Sequence, residues 1–225
     1  MSASVAYNAD CLDAMRKMPD NAFDLAVVDP VYGDVKQGGY MKNAESTARL
    51  AKAIQYHTAV WDQQKTGKEY FDELFRVSRE QIIWGGNYFV EEIGRNSQCW
   101  LVWDKKHPDG VQFADVELAW TSFDRAARIF RFLWNGMLQE NMKEKETRLH
   151  PTQKPVALYE WIFKNFAEPG MKILDTHLGS GSSRIAALEA GLDFVGYEID
   201  KTYYALQEQR FQNYAAQFSL FRMEE

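Results

Sequence analysis

The stretch 172–198 constrains the fold more than any other part of the chain. Residues 172–175 form a short apolar run that predicts a buried strand, 182–190 predict a helix, and 194–198 predict a second strand. This order is a βαβ unit, and parallel strands require such a crossover. The sequence therefore predicts an α/β domain built on a mostly parallel sheet.

The loop inside this unit has the features of a nucleoside site. Gly179 and Gly181 allow a tight turn and a close approach of the backbone to a ligand. Glu198 ends the second strand at about the distance at which dinucleotide folds place an acid against ribose hydroxyls. The loop lacks a third glycine and a Walker lysine, so the pattern favours a nucleoside over a pyrophosphate ligand.

A second feature lies near the start of the chain. The apolar run 25–28 predicts another buried strand, and Asp29-Pro30-Val31-Tyr32 follows it directly. Proline ends the strand because it has no N–H to donate. An acid and an aromatic ring thus stand at the carboxyl end of a strand, where open α/β sheets bind ligands. The alternative is a plain turn with Asp29 as its cap.

Composition excludes several classes of protein. No apolar run approaches the ~18 residues of a membrane helix, so no membrane partner is expected. The first residues show no signal peptide, and Cys11 and Cys99 form no Cys-x-x-Cys, which together favour the cytoplasm. His57, His107 and His150 have no ligand spacing, so no metal is expected. The net charge of −6 argues against a wholly basic surface but leaves room for a local basic groove.

Three segments carry a resemblance to a known family. Residues 175–183 (DTHLGSGSS) are similar to the methionine-binding loop of amino-group DNA methyltransferases, and 29–32 (DPVY) resemble their catalytic Asp-Pro-Pro-Tyr tetrad. Residues 150–155 (HPTQKP) resemble the segment that packs on the cofactor's methionine end. The order of these motifs is that of the β-class group. The chain departs from the pattern at Val31, Thr176 and His177.

This resemblance implies a doubly wound, Rossmann-like fold with permuted motif order and a mostly parallel, seven-stranded sheet. One domain would cover 1–225, with substrate-reading insertions at about 33–60 and 105–148. The 23–29 strand would lie beside the 172–175 strand, so that the tetrad and the glycine loop meet at the switch point.

The implied activity is methyl transfer from S-adenosylmethionine to the exocyclic N6 of adenine in DNA, after base flipping. Asp29 and the Pro30 carbonyl would accept hydrogen bonds from the target amine, and Tyr32 would stack on the extruded base. Asp at position 29 favours adenine over cytosine in the resembled family.

The resemblance also implies a set of ligand-binding residues. Asp175 would face the methionine amino group, Glu198 the ribose, Asp10 the adenine amino group, and Thr152 and Lys154 the carboxylate. The full cofactor set is Asp10, Cys11, Thr152, Lys154, Asp175, His177, Gly179, Ser180, Gly181, Ser182 and Glu198. The candidate DNA-phosphate face is Lys105, Lys106, Arg125, Arg128 and Arg131, with a solvated strand face as the equal alternative. Trp84 and Trp103, at predicted strand ends, are candidates for the base pocket.

Several alternatives stay open at the level of sequence. The target could be cytosine N4, RNA or a protein amide. Val31 and His177 motivate a catalytically silent DNA-binding subunit. A nicotinamide-dependent oxidoreductase suits the βαβ unit but explains neither the tetrad nor the missing third glycine. A homodimer is compatible with the sequence but unproven.

Overall fold

A computed structural model describes residues 2–33, 65–107, 114–135, 138–143 and 145–223. In this part of the chain the strands are β1 Ser4–Asn8, β2 Phe23–Val28, β3 Ser78–Trp84, β4 Leu101–Asp104, β5 Val116–Thr121, β6 Arg128–Arg131, β7 Trp134–Asn135, β8 Leu138–Gln139, β9 Lys172–Asp175 and β10 Asp193–Glu198. The helices are α1 Cys11–Met15, α2 Lys68–Val77, α3 Val90–Ile93, α4 Val156–Phe166, α5 Ser182–Glu189 and α6 Lys201–Met223, with a 3-10 turn at Gly86–Tyr88. None of these helices is long and apolar enough to cross a membrane.

The predicted insertions are only partly within this description. Apart from Gly33, the segment 33–60 lies outside the described residues, and so do 108–113, 136–137 and 144 of the second segment. Their role in reading the substrate stays a prediction.

The main sheet has the strand order β1-β10-β9-β2-β3-β5-β4-β6. Its first five strands are parallel, β5 runs antiparallel to both of its neighbours, and β6 is parallel to β4. The prediction of a doubly wound, mostly parallel sheet is therefore confirmed. The sheet has eight strands where the resemblance implied seven, with β6 at one edge.

The central strand β2 shows why the sheet carries helices on both faces. Alternate residues of a strand point to opposite faces, so a strand buried on both sides is apolar throughout. Leu25 and Val27 join a core with α4 and α5, whereas Ala26 and Val28 join a core with α1 and α2.

The sequence predicts one strand over 126–134, which is rich in apolar and aromatic residues, and a loop or exposed segment over the polar, charge-rich run 136–149, and the structure corrects both. The single strand expected over 126–134 is two strands, because the chain leaves the main sheet after Arg131 and Trp134 begins a separate hairpin. The loop expected over 136–149 contains the second strand of that hairpin, β8, which pairs with β7.

The parallel order collects polar groups at one edge of the sheet. β2 pairs with β9, as predicted, in the register Leu25↔Ile173, so Asp29, which follows β2, and Asp175, which ends β9, lie at the ends of neighbouring strands. Glu198 ends the next strand, β10. Because β5 is antiparallel, its first residues, including Glu117, reach the same edge.

Candidate active site

The glycine loop is a tight turn fixed to the sheet. Gly179 and Gly181 have φ values of +53° and +77°, a left-handed backbone that favours glycine. The Gly181 N–H donates to the Leu178 carbonyl at 2.9 Å, and the Leu178 N–H donates to the Tyr197 carbonyl at 2.9 Å. The turn therefore has a fixed position at the end of β10.

Glu198 lies directly under this turn. Its Oε2 accepts a hydrogen bond from the Gly179 N–H at 2.8 Å, and its Oε1 accepts one from the Asp200 N–H at 2.8 Å. Burial raises the pKa of Glu198, although these N–H donors act against the rise. The loop and the predicted ribose-binding acid thus form one unit.

Asp175 is enclosed by its own loop and helix. Its carboxylate accepts hydrogen bonds from the Ser183 hydroxyl and from the His177 N–H, the latter at 3.0 Å. The side chain is buried, and this burial raises the pKa of Asp175 to about 7. The donors that hold it are neutral.

The first turn of α1 lies beside the end of β10, close to Glu198. Asp10 caps α1, accepting from the Leu12 N–H at 2.8 Å. The preceding Asn8 amide donates to the Glu198 carbonyl at 2.8 Å, which ties this turn to the end of β10. Burial, followed by the Asp10 charge, raises the pKa of Cys11 to about 12, so its thiol stays protonated.

Thr176 and His177, the two residues after Asp175 that depart from the pattern of the resembled family, form a hydrogen-bonded pair. Thr176 Oγ1 is 2.9 Å from His177 Nδ1 and 2.5 Å from the Tyr70 hydroxyl. The His177 ring meets the Tyr70 ring edge-on, with centroids 5.4 Å apart. Burial lowers the pKa of His177 to about 4, so the ring is neutral at pH 7.

The segment 150–155 crosses over the glycine loop. A Cβ on Gly179 would lie 3.7 Å from His150 Cγ, so this ring covers the turn. Thr152 Oγ1 lies 3.0 Å from His150 Nδ1. His150 thus lies between Thr152 and the loop, and the predicted contact of Thr152 with the cofactor stays a prediction.

Arg210 on α6 joins the loop to Glu146, which lies just before the crossing segment. Its guanidinium donates to the Ser180 carbonyl at 2.9 Å, to Ser182 Oγ at 3.0 Å and to Glu146 Oε2 at 2.7 Å. Sequence reasoning missed Arg210, because nothing in its own neighbourhood of α6 points to a loop 28 residues earlier.

Asp29 has two strong partners. The Tyr32 hydroxyl donates to one carboxylate oxygen and the Lys154 ammonium to the other. Pro30, next in the chain, is buried. The Lys154 ammonium, predicted to hold the methionine carboxylate, contacts Asp29 and Glu117 in this structure. Its predicted carboxylate contact stays a prediction.

The Tyr32 ring packs against the backbone at Gly85, where glycine leaves room for it. A Cβ on Gly85, at the end of β3, would lie 2.5 Å from Tyr32 Cζ. The rings of Tyr88 and Phe89 lie 5.0 and 5.8 Å from the Tyr32 ring, and Tyr88 is 39% exposed. Sequence reasoning missed Gly85 and Tyr88, although a Gly-Gly-Asn-Tyr run after a parallel strand was an available signal.

The two tryptophans proposed for the base pocket are core residues. Trp84 and Trp103 are fully buried, and their rings meet edge-on at 6.5 Å. Both rings belong to the core that includes α4, with the Lys154 ammonium 5.5 Å from the Trp84 centroid and the Lys105 ammonium 5.2 Å from the Trp103 centroid. Contact of either ring with the base stays a prediction.

The five candidate DNA cations do not form one face. Lys105 pairs with Glu117, Lys106 with Glu140, and Arg131 with Asp104. Arg125 donates to the Asn165 carbonyl, at the end of α4. Arg128 and Arg131 are three residues apart on β6, so they point to opposite faces of the sheet. The single phosphate face is therefore corrected, whereas DNA contact by individual members stays a prediction.

Within the described residues, no group of three or more His, Cys, Asp or Glu side chains could hold a metal ion.

Comparison with known proteins identifies the family of this chain. The sequence model of the N6/N4 DNA methylase family matches residues 97–209, just over half of the chain. The chain belongs to this family.

Its relatives cover nearly the whole chain. YubD of Escherichia coli K12, whose name places it among the methylases, is 25% identical over 89% of this chain and 87% of its own length. The structure of M1.HpyAVI in complex with SAM has a TM-score of 0.58 and 19% identity, covering 93% of this chain and all of that one. The cytosine-N4-specific PvuII DNA methyltransferase has a TM-score of 0.59 and 13% identity, covering 94% and 87% of the two chains. These two structures share the fold of this protein.

Proposed function

We propose that this protein transfers a methyl group from S-adenosylmethionine to N6 of adenine in DNA. The observation that carries the proposal is the pairing of β2 with β9, which sets Asp29 beside the glycine loop. The family supports a DNA methylase, and Asp29 in the tetrad position supports adenine as the target.

The residues at the glycine loop fit this cofactor chemically. S-adenosylmethionine offers an ammonium, two ribose hydroxyls and an adenine amine as donors, and the loop is flanked by the acceptors Asp175, Glu198 and Asp10. A neutral His177 ring places no positive charge beside the sulfonium. When bound, the cofactor supplies an electrophilic methyl group.

The residues around Asp29 act on the acceptor. An exocyclic amine is a poor nucleophile because its lone pair is delocalised into the ring. Asp29 and the Pro30 carbonyl would accept the amino hydrogens and localise that lone pair toward the methyl group. The amino group would replace the Tyr32 hydroxyl at Asp29, which frees the Tyr32 ring to stack on the flipped base. Positioning of this kind lowers barriers by up to ~7–11 kcal/mol.

The test is a methyl-transfer assay with labelled cofactor and unmethylated genomic DNA. Digestion to nucleosides and mass spectrometry should give N6-methyladenine, and methylation-aware sequencing would give the recognition site. Asp29→Ala should abolish the product while cofactor binding, measured by calorimetry, persists. N4-methylcytosine would overturn the adenine assignment, and label found only in RNA or protein would overturn DNA as the substrate.

A further inference from the structure

Asp29 is held by a chain of charges that begins on β5. Glu117 is the second residue of this strand, and its Oε1 lies 2.5 Å from Lys105 Nζ. Its Oε2 lies 3.2 Å from Lys154 Nζ, and Lys154 in turn donates to Asp29. The Lys154 side chain is only 4% exposed, so its ammonium has little contact with water.

The burial of this ammonium makes its partners important. Leaving a buried charge with too few partners is costly, because protein replaces the water that would otherwise solvate it. Burial opposes the charged form of Lys154, but Asp29 and Glu117 outweigh it, so the pKa of Lys154 is raised. In the same way burial opposes the charge on Glu117, and Lys154 and Lys105 outweigh it, which lowers the pKa of Glu117 to about 2.

We propose that Glu117 and Lys154 are positioning residues for Asp29: Glu117 holds the Lys154 ammonium in place, and Lys154 orients the Asp29 carboxylate toward the target amine. The inference rests on the proposed function and adds a residue from outside the motifs. Glu117 and Asp29 both contact the Lys154 ammonium, which occupies one Asp29 oxygen and leaves the Tyr32-bound oxygen for the substrate.

The titration of Lys154 depends on the charged groups around it. Asp29 and Glu117 contact it directly, and Lys105 acts through Glu117. The titratable groups whose charges reach Asp29 or Lys154 are Tyr32, Tyr70, Lys105, Glu117, His150, Tyr159, Asp175 and His177.

The experiment uses Glu117→Gln, which keeps the shape of the side chain and removes its charge. Glu140→Gln is the matched control, because Glu140 pairs with Lys106 in a half-exposed ion pair away from Asp29. The first measurement is a pH titration of the Lys154 side chain in protein with ¹³C-labelled lysine, the signal being assigned with Lys154→Arg. The second is kcat as a function of pH.

Loss of one carboxylate should lower the pKa of Lys154 by about 1 unit or more, since an opposite charge at this range is worth about 1–3 units. The alkaline limb of the pH profile of kcat should move to lower pH by the same amount. Above the new limb, kcat should fall about tenfold for each pH unit. The KM for S-adenosylmethionine should not change, and Glu140→Gln should match wild type in both measurements. Glu117→Asp, which keeps a carboxylate, should bring the pKa of Lys154 part of the way back to its wild-type value.

The inference is overturned if Glu117→Gln leaves both the Lys154 titration and the alkaline limb at their wild-type positions. It is also overturned if the variant raises the KM for the cofactor at constant kcat, because Lys154 would then serve the methionine carboxylate. If Glu117→Gln does not fold, Glu117→Asp carries the same two measurements. Wild-type protein that methylates no DNA would refute the proposed function, while the titration would still decide the Glu117–Lys154 link.

Discussion

Asp175 and Asp29 follow neighbouring strands of one sheet, yet their surroundings differ. Asp175 is buried among neutral donors, the Ser183 hydroxyl and the His177 N–H, and burial raises its pKa to about 7. Asp29 faces an ammonium, that of Lys154, together with the Tyr32 hydroxyl. Both carboxylates therefore lie at the same edge of the sheet, but of the two only Asp29 has a cationic partner among the described residues.

This difference suits the two roles proposed for them. A carboxylate without a cationic partner gains most from a ligand that brings its own ammonium, as the methionine end of the cofactor does. A carboxylate that already has an ammonium partner is prepared for a neutral amine, which brings no charge.

The largest predicted effect is on kcat and acts through Gly85, which packs against the Tyr32 ring beside Asp29. Gly85→Ala should reduce kcat by about 100-fold, because a methyl group there occupies the space of the Tyr32 ring, and displacements of about 1 Å cost this much. Gly191→Ala is the matched control. Gly191 has a φ of +67°, close to the +66° of Gly85, but its Cβ would have nothing within 4 Å. Equal losses in kcat for the two variants would show that backbone strain alone is responsible.

The next effect is on the Asp175 side. Cofactor affinity of the wild-type protein should rise as the pH passes through about 7, because Asp175 must be ionised to pair with the methionine ammonium. Asp175→Asn should lower affinity at alkaline pH by about tenfold or more, the value of a hydrogen bond to a charged group. Calorimetry across the pH range measures both. A wild-type affinity that is flat through pH 7 would remove Asp175 from the ammonium site.

The same residue should affect the stability of the free protein with the opposite sign. The pKa of Asp175 is raised in the fold from 3.8 to about 7, so its contribution to stability is complete below 3.8 and is lost as the pH rises through about 7. Asp175→Asn should therefore raise the Tm at about pH 9 relative to wild type, with less gain at about pH 5. Calorimetric unfolding without cofactor checks this, and an equal gain at both pH values would contradict the assignment.

The smallest effect concerns His177. His177→Phe should leave cofactor affinity at the wild-type value, since a flat, neutral ring remains, while the free energy of unfolding falls by about 1 kcal/mol with the lost Thr176 hydrogen bond. Isothermal calorimetry and chemical unfolding measure the two quantities. A large loss of affinity would show that the imidazole itself contacts the cofactor.

The half of the site around Asp175 was readable from the sequence because its parts are local. The strand, glycine loop, helix and Glu198 lie within one βαβ unit, and their hydrogen bonds join nearby residues. The pairing of β2 with β9 was also predictable, since buried apolar strands and motif order both indicated it.

The surroundings of Asp29 were not readable, because they come from distant segments. Lys154 reaches Asp29 across 125 residues, and Glu117 enters only because β5 runs antiparallel. A single strand gives no sign of its direction in the sheet, so a lone Glu in the run VELAWT looks like a solvent-facing residue. The prediction of a single phosphate-binding face was wrong for a related reason. Arg128 and Arg131 are three residues apart on one strand, so they lie on opposite faces of the sheet.

The register of β1 has a consequence for how the protein assembles on the ribosome. Among the described strands, β1 pairs with β10 only, with Ser4 opposite Phe194 and Asn8 opposite Glu198. β1, the first of the described strands, must therefore wait for β10, the last of them, before it gains a neighbour in the sheet, and contacts so far apart in sequence slow folding. During translation, the turn around Asp10 therefore remains without Glu198 beside it until β10 has emerged.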